Sequence, residues 1–173
     1  MNLAKRIRLI VSDVDGVWTD GRILYLGDQL EGKEFHVRDG LGVKLAQRAG
    51  VAVALITSRS SAALERRARE LGIAEVRQGT ANKLEETERV AQKLGLTLDE
   101  VLYVGDDLPD LAPMARVGIS AAPSDAAAKV LGAATWKLAT KGGHGAVREL
   151  VERLLRERGE WETTVQDFNA SST

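Results

Sequence analysis

The chain has 173 residues, 44% of them hydrophobic and 28% charged, which suits one soluble domain around one sizeable core. With 24 Lys and Arg against 25 Asp and Glu, its net charge of −1 excludes a general grip on nucleic acid or a polybasic membrane anchor. The absence of Cys excludes disulfides and thiolate chemistry, and with only two His any metal must sit mainly on carboxylates, which selects a hard cation such as Mg²⁺.

In chain order, residues 8–13 read as a short buried strand that ends in acid. A polar, glycine-bearing loop follows at 14–21. Segments 22–26 and 33–37 are strand candidates around the turn-forming 27–32, so a β-hairpin is expected at about 22–37. Asp39 is placed to cap a helix over 41–49, which Gly50 stops. The run 51–56 is continuously apolar and rich in β-branched residues, as a parallel strand covered on both faces requires. It is also the longest apolar run, too short to span a bilayer. No signal-peptide core follows residues 1–8, and a soluble cytoplasmic protein is expected.

A helix at 60–71 ends at Gly72, a short strand follows at 74–77, and an amphipathic helix at 81–94 closes at Gly95. Thr97 and Glu100 have capping-box spacing ahead of a strand at 101–104. A short helix at 111–116 and a strand at 117–121 come next, then a helix at 125–131 capped by Ser124. Thr135 and Trp136 form an edge-strand candidate, and a glycine-rich segment leads into a strong helix over 146–158. The tail at 159–173 reads as flexible or docked on a neighbouring subunit. Strands alternating with helices mean βαβ units, hence an α/β fold: a Rossmann-like, three-layer parallel sheet with an inserted hairpin. Residues 1–158 form one domain in this reading.

In open α/β sheets the ligand site lies beyond the carboxyl ends of the strands. The first strand delivers Asp13 and Asp15 there; the 51–56 strand delivers Thr57, Ser58 and Arg59; the 101–104 strand delivers Asp106 and Asp107, with Asp110 three residues later. Lys83 stands near the start of the 81–94 helix. A Mg²⁺ between Asp13 and Asp106 would relieve their repulsion and screen an approaching phosphate. One carboxylate could attack phosphorus, and a second could protonate the leaving alcohol and later activate water. Thr57 and Lys83 suit the non-bridging phosphate oxygens. Singly, each residue has a plainer reading: solvated turn acids, a turn hydroxyl, a solvated helix charge, or helix caps. Their joint placement at consecutive strand ends is what argues for a site.

These residues resemble the four motifs of the haloacid-dehalogenase-like phosphatase superfamily: Asp13-Val-Asp-Gly16, Ile56-Thr57, Lys83 and Gly105-Asp-Asp-Leu-Pro-Asp110. The wider segments Ser12 to Gly21, Phe35-His-Val-Arg-Asp-Gly40, Arg77-Gln-Gly79 and Gly142 to Glu149 resemble its capless subgroup, and the similarity runs from about residue 8 to 158. The resemblance implies no cap domain. It implies Asp13 as nucleophile, Asp15 as general acid and base, and Mg²⁺ held by Asp13, Asp106 and the main-chain carbonyl of Asp15. It further implies Thr57 and Lys83 on the phosphoryl group, with Asp107 and Asp110 as supporting acids. The implied reaction is hydrolysis of 3-deoxy-D-manno-octulosonate 8-phosphate, in a homotetramer whose hairpins associate.

Two departures bear on the substrate. Ser58 stands where the family commonly has Gly, and His144 where it often has Arg. Pro109 and Pro123 are also similar to relatives that act on nine-carbon ulosonate 9-phosphates, which keeps that substrate class as an alternative. A non-catalytic phosphoacceptor or binding module is a further alternative. Arg59 is the best candidate for a sugar-acid carboxylate, against an ordinary ion pair. Arg67 is a second, against a surface salt bridge. Trp18 either walls the site or simply packs, and Trp161 either docks on a neighbour or packs within its own chain.

Overall fold

The apolar segments assemble into one six-stranded sheet in the order β5-β4-β1-β6-β7-β8, every neighbouring pair parallel. Its strands are β1 (Leu9–Ser12), β4 (Ala52–Ile56), β5 (Glu75–Arg77), β6 (Val101–Val104), β7 (Ile119–Ala122) and β8 (Trp136–Lys137). The computed structural model describes residues 2–27 and 31–170. The turn of the expected hairpin, at 28–30, and residues 171–173 of the tail lie outside the described residues.

The central strands are buried on both faces because helices cover both. Ile10, Leu55, Leu102 and Val104 pack against α1 (Val37–Arg48), α2 (Ala62–Leu71) and α6 (Ala146–Arg158). Leu9, Val11, Ile56 and Tyr103 pack against α3 (Lys83–Lys93), α4 (Leu111–Met114) and α5 (Ala128–Ala133). Each such Leu, Ile or Val contributes about 1.5–3 kcal/mol on burial, so the sheet centre is the stable platform on which strand ends are fixed. The chain leaves β1, builds β4 and β5 to one side, then crosses by α3 to β6 on the other. The switch in direction lies at β1, and a crevice opens there between the strand ends.

Four elements differ from the sequence expectation. The hairpin consists of β2 (Leu24–Tyr25) and β3 (Glu31–Gly32), with Leu24 opposite Gly32, so residues 33–36 are not strand. α1 starts at Val37 and is capped by His36, whose ring accepts the Arg38 N–H at 3.3 Å. Asp39 lies in the first turn of α1, fully buried, and accepts the Arg148 N–H at 2.7 Å. It therefore caps α6, whose own N-cap position is Gly145 and offers no side chain. Burial raises the Asp39 carboxyl to about 6, against the pull of the α6 amides.

α5 begins at Ala128 rather than after Ser124, because Asp125 turns away to accept the Gly142 N–H at 2.9 Å. Within the described tail, α7 (Trp161–Ala170) lies against α1 of its own chain. Trp161 stacks under Arg148 and Arg156 at 5.5 and 4.9 Å, the intrachain packing reading of that side chain. Trp18 is likewise a packing residue: it is fully buried and its Nε1–H is donated to Ser12 Oγ at 2.9 Å.

Candidate active site

Backbone hydrogen bonds run one residue past the strands and fix where the polar side chains emerge. The Asp13 N–H is donated to Val104 O at 2.9 Å, Thr57 N–H to Arg77 O at 2.9 Å, and Gly105 N–H to Ala121 O at 3.2 Å. The chain then turns at Gly16, whose φ is +88°. A Cβ at Gly16 would stand 2.0 Å from Asp106 Oδ2, so only glycine lets the loop after β1 meet the end of β6.

Lys83 joins the acids. Its ammonium lies 2.9 Å from Asp13 Oδ1 and 2.7 Å from Asp110 Oδ1, with all three residues buried. Asp110 also accepts the Tyr103 hydroxyl at 2.8 Å and the amides of Asp106 and Asp107 at 3.0 and 3.1 Å. Both its oxygens are thus engaged by the protein. Carboxylate oxygens of Asp13, Asp106 and Asp110 gather within 4.8 Å of one another. Burial, then the neighbouring Asp110, push Asp13 up to about 6 despite Lys83. Burial, then Asp13 and Asp110, push Asp106 up to about 8. Two carboxyls held this reluctantly in their charged form are short of positive charge.

Asp15 emerges on the other side of the crevice. Its Oδ1 pairs with Lys33, and its Oδ2 is 3.4 Å from the Thr57 hydroxyl. Lys33 also faces Glu31 at 3.4 Å, and Glu31 pairs with Arg59. A cavity of about 270 Å³ opens here, lined by the acids Asp13, Asp15, Asp106 and Asp107 with Thr57 and Lys83, and also by Gly21, Ser58, Arg59 and Pro109.

A nucleophile-spaced acid pair, a hydroxyl and a third acid from three strand ends, with a buried lysine from the start of α3, match what is known of similar proteins. The family model for haloacid dehalogenase-like hydrolases matches residues 25–118. A protein of Salmonella typhi named 3-deoxy-D-manno-octulosonate 8-phosphate phosphatase KdsC is 41% identical over 92% of this chain and 85% of its own. This chain belongs to the haloacid dehalogenase-like hydrolases.

Solved structures of that family superpose closely. The 3-deoxy-D-manno-octulosonate 8-phosphate phosphatase of Yersinia pestis has a TM-score of 0.89 and 42% identity, over 92% of this chain and 86% of the other. The Moraxella catarrhalis phosphatase, solved with magnesium, phosphate and KDO, has a TM-score of 0.92 and 37% identity, over 96% and 95% of the two chains. As in a capless member of the family, the described residues between β1 and α1 hold only the two-stranded hairpin and its flanks.

The donor set fits the magnesium that this hydrolase family implies. Asp13 and Asp106 offer carboxylate oxygens that burial leaves in want of a cation, whereas Asp110, with four protein donors, serves to fix Lys83 and the Asp106 backbone. Asp107 lines the cavity and caps its own turn by accepting the Leu108 N–H at 2.8 Å. Arg59 makes an ion pair with Glu31 and also lines the cavity.

The structure does not bring Arg67 to this cavity. It lies beside Gly40 on α1 and pairs with Glu70 at 3.3 Å. His144 folds back so that Nδ1 meets Gly142 O at 2.7 Å. Sequence reasoning missed Lys33 and Glu31. Nothing in their spacing separates them from other surface charges, because they reach the site only through the fold of the hairpin.

Proposed function

We propose that this chain is a Mg²⁺-dependent phosphomonoesterase that hydrolyses 3-deoxy-D-manno-octulosonate 8-phosphate, with residues 1–158 as its single phosphatase domain. The observation that carries the reading is Lys83 held between Asp13 and fully buried Asp110, with Asp106 alongside, at the switch point of the sheet. The likeness to phosphatases of that name, one solved with magnesium, phosphate and KDO, supports the substrate.

The roles follow from position. An Asp13 oxygen attacks phosphorus, and the bond from phosphorus to the sugar oxygen breaks with its electron pair on that oxygen. The Asp15 carboxyl gives this oxygen its proton. The resulting Asp15 carboxylate then takes a proton from water, whose oxygen bonds to phosphorus as the Asp13–phosphorus bond breaks; inorganic phosphate leaves and Asp13 is regenerated. Lys83 and the Thr57 hydroxyl hold the non-bridging oxygens. Mg²⁺, held by Asp13, Asp106 and the Asp15 carbonyl, offsets the charge that an anionic phosphate meets here. Arg59 takes the sugar-acid carboxylate in exchange for Glu31, and Ser58 narrows the mouth.

The test is phosphate release from the eight-carbon substrate with Mg²⁺ and again with a chelator. Turnover that chelation removes is expected. A tenfold or greater preference for a nine-carbon ulosonate 9-phosphate overturns the substrate. No metal-dependent release from either sugar phosphate, or from an aryl phosphate, returns the chain to a non-catalytic phosphoacceptor.

The assembly belongs to the same proposal. Ile23, Leu24, Tyr25 and Leu26 are 45–71% exposed on a hairpin of two-residue strands, which is marginal by itself. We read it as the contact of a homotetramer. Light scattering is expected to give four times the chain mass, and a monomer that stays fully active on dilution overturns this. A chain without Cys and, among the described residues, without a helix long and apolar enough to cross a membrane is read as cytoplasmic.

A further inference from the structure

The hairpin sends one cation into the crevice that the reaction described above does not yet use. The Lys33 side chain is only 3% exposed, although it follows directly on β3 at the edge of the molecule. A buried ammonium is costly unless it is paired, and Lys33 is paired twice, with Asp15 Oδ1 and with Glu31 Oε1 at 3.4 Å. Glu31 is in turn held by Arg59, which lies two residues beyond Thr57 and whose N–H is donated to the Thr57 hydroxyl at 3.2 Å. The chain Asp15–Lys33–Glu31–Arg59 thus runs from the cavity out to the hairpin and back to the end of β4.

The pairing divides the two oxygens of Asp15. Oδ1 is taken by Lys33. Oδ2 is turned towards the Thr57 hydroxyl, 3.4 Å away, on the side where the phosphoryl group is to be held. Lys33 is absent from the cavity lining, so it acts through its partners, and the one it meets directly in the lining is Asp15. We infer that Lys33 is a positioning residue for proton transfer: by holding Oδ1 it fixes the Asp15 rotamer and leaves Oδ2 as the oxygen that hands its proton to the leaving alcohol. A carboxyl free to swing between rotamers loses the alignment on which general acid catalysis depends.

The inference rests on the proposed phosphatase reading and is tested within it. An alkyl phosphate needs the proton as its oxygen leaves, whereas 4-nitrophenyl phosphate has a leaving group stable as the anion. kcat/KM reports the steps up to departure of the leaving group. At saturating Mg²⁺, Lys33→Met is expected to lower kcat/KM for the eight-carbon sugar phosphate by roughly 100-fold, the low end of the range for a general acid. For 4-nitrophenyl phosphate it is expected to lower it less than about fivefold. Lys33→Arg, which keeps a cation for Oδ1, is expected to restore much of the alkyl activity.

Should Lys33→Met not yield folded protein by circular dichroism, Lys33→Gln carries the same comparison. A parallel loss on both substrates, or no loss on either, overturns the positioning role and leaves Lys33 a structural ion pair. An unmutated enzyme that hydrolyses neither substrate instead overturns the phosphatase reading itself, so the two failures are told apart.

Discussion

Asp13→Asn is expected to abolish turnover of the sugar phosphate, by at least about 10⁴-fold in kcat, while leaving the protein folded. The amide cannot form the acyl-phosphate bond. Lys83 keeps its 2.7 Å partner Asp110, so the ammonium does not become an unpaired buried charge. Stability should in fact respond to pH in a diagnostic way.

In metal-free protein Asp13 is raised to about 6 and Asp106 to about 8, both above the ordinary value of 3.8. The folded state therefore binds more protons than the unfolded state between these limits. The contribution of these two groups to metal-free stability is greatest in acid and falls as pH rises from about 4 to about 8. The Asn variant removes one raised carboxyl and the repulsion it exerts on Asp106, so its decline should be shallower; Mg²⁺ should offset the decline in the unmutated protein. Thermal melts across that pH range, with and without Mg²⁺, measure both effects. Retained turnover in the variant would refute Asp13 as the nucleophile.

Asp110→Ala should carry the largest loss of stability of any single change near the site. Asp110 is fully buried and receives Lys83, the Tyr103 hydroxyl and two backbone amides. Burial and the adjacent Asp110 carboxylate raise the Tyr103 phenol well above its ordinary value, so it stays a donor and loses its acceptor in the variant. Leaving a buried donor without its acceptor costs about 1–3 kcal/mol, and the loss of this acceptor for three neutral donors is expected to lower Tm by roughly 10 °C in a chain of this length.

An opposing effect exists, since Asp110 also raises Asp13 and Asp106. With Mg²⁺ saturating, that repulsion is already offset, and the Tyr103 hydroxyl and the two amides left without their acceptor decide the sign, while Lys83 keeps Asp13 at 2.9 Å. Calorimetry at saturating Mg²⁺ is the measurement, and a change in Tm of less than about 3 °C would contradict this account of the site.

Much of this site was legible before any folding. Where a β-branched apolar run ends in Asp-x-Asp, Thr-Ser-Arg or Gly-Asp-Asp, the strand and its polar end are written together, and a parallel sheet brings such ends to one edge. The strands at β4 and β6, and the helix α6, fall where the spacing places them. What failed concerned partners distant in the chain. Asp39 has every local mark of a cap for its own helix, yet it lies within the first turn and caps α6, 109 residues away. Local spacing cannot distinguish these outcomes, because both satisfy the same hydrogen-bond demand at a helix start. Arg67 matches a motif, and within its own chain it lies beside Gly40 and pairs with Glu70, outside the residues that line the cavity.

Sequence by itself determined the strands of the central sheet and the placing of Asp13, Asp15, Thr57, Lys83 and Asp106 around one cavity, because periodicity and strand-end chemistry are properties of neighbouring residues. Tertiary structure alone decided that Lys33 and Glu31 reach the crevice, that Asp110 is consumed by four donors, and that the loop at Gly16 closes against Asp106. Those are matters of burial and charge between segments far apart in the chain, and only the packed molecule sets the distances on which both depend.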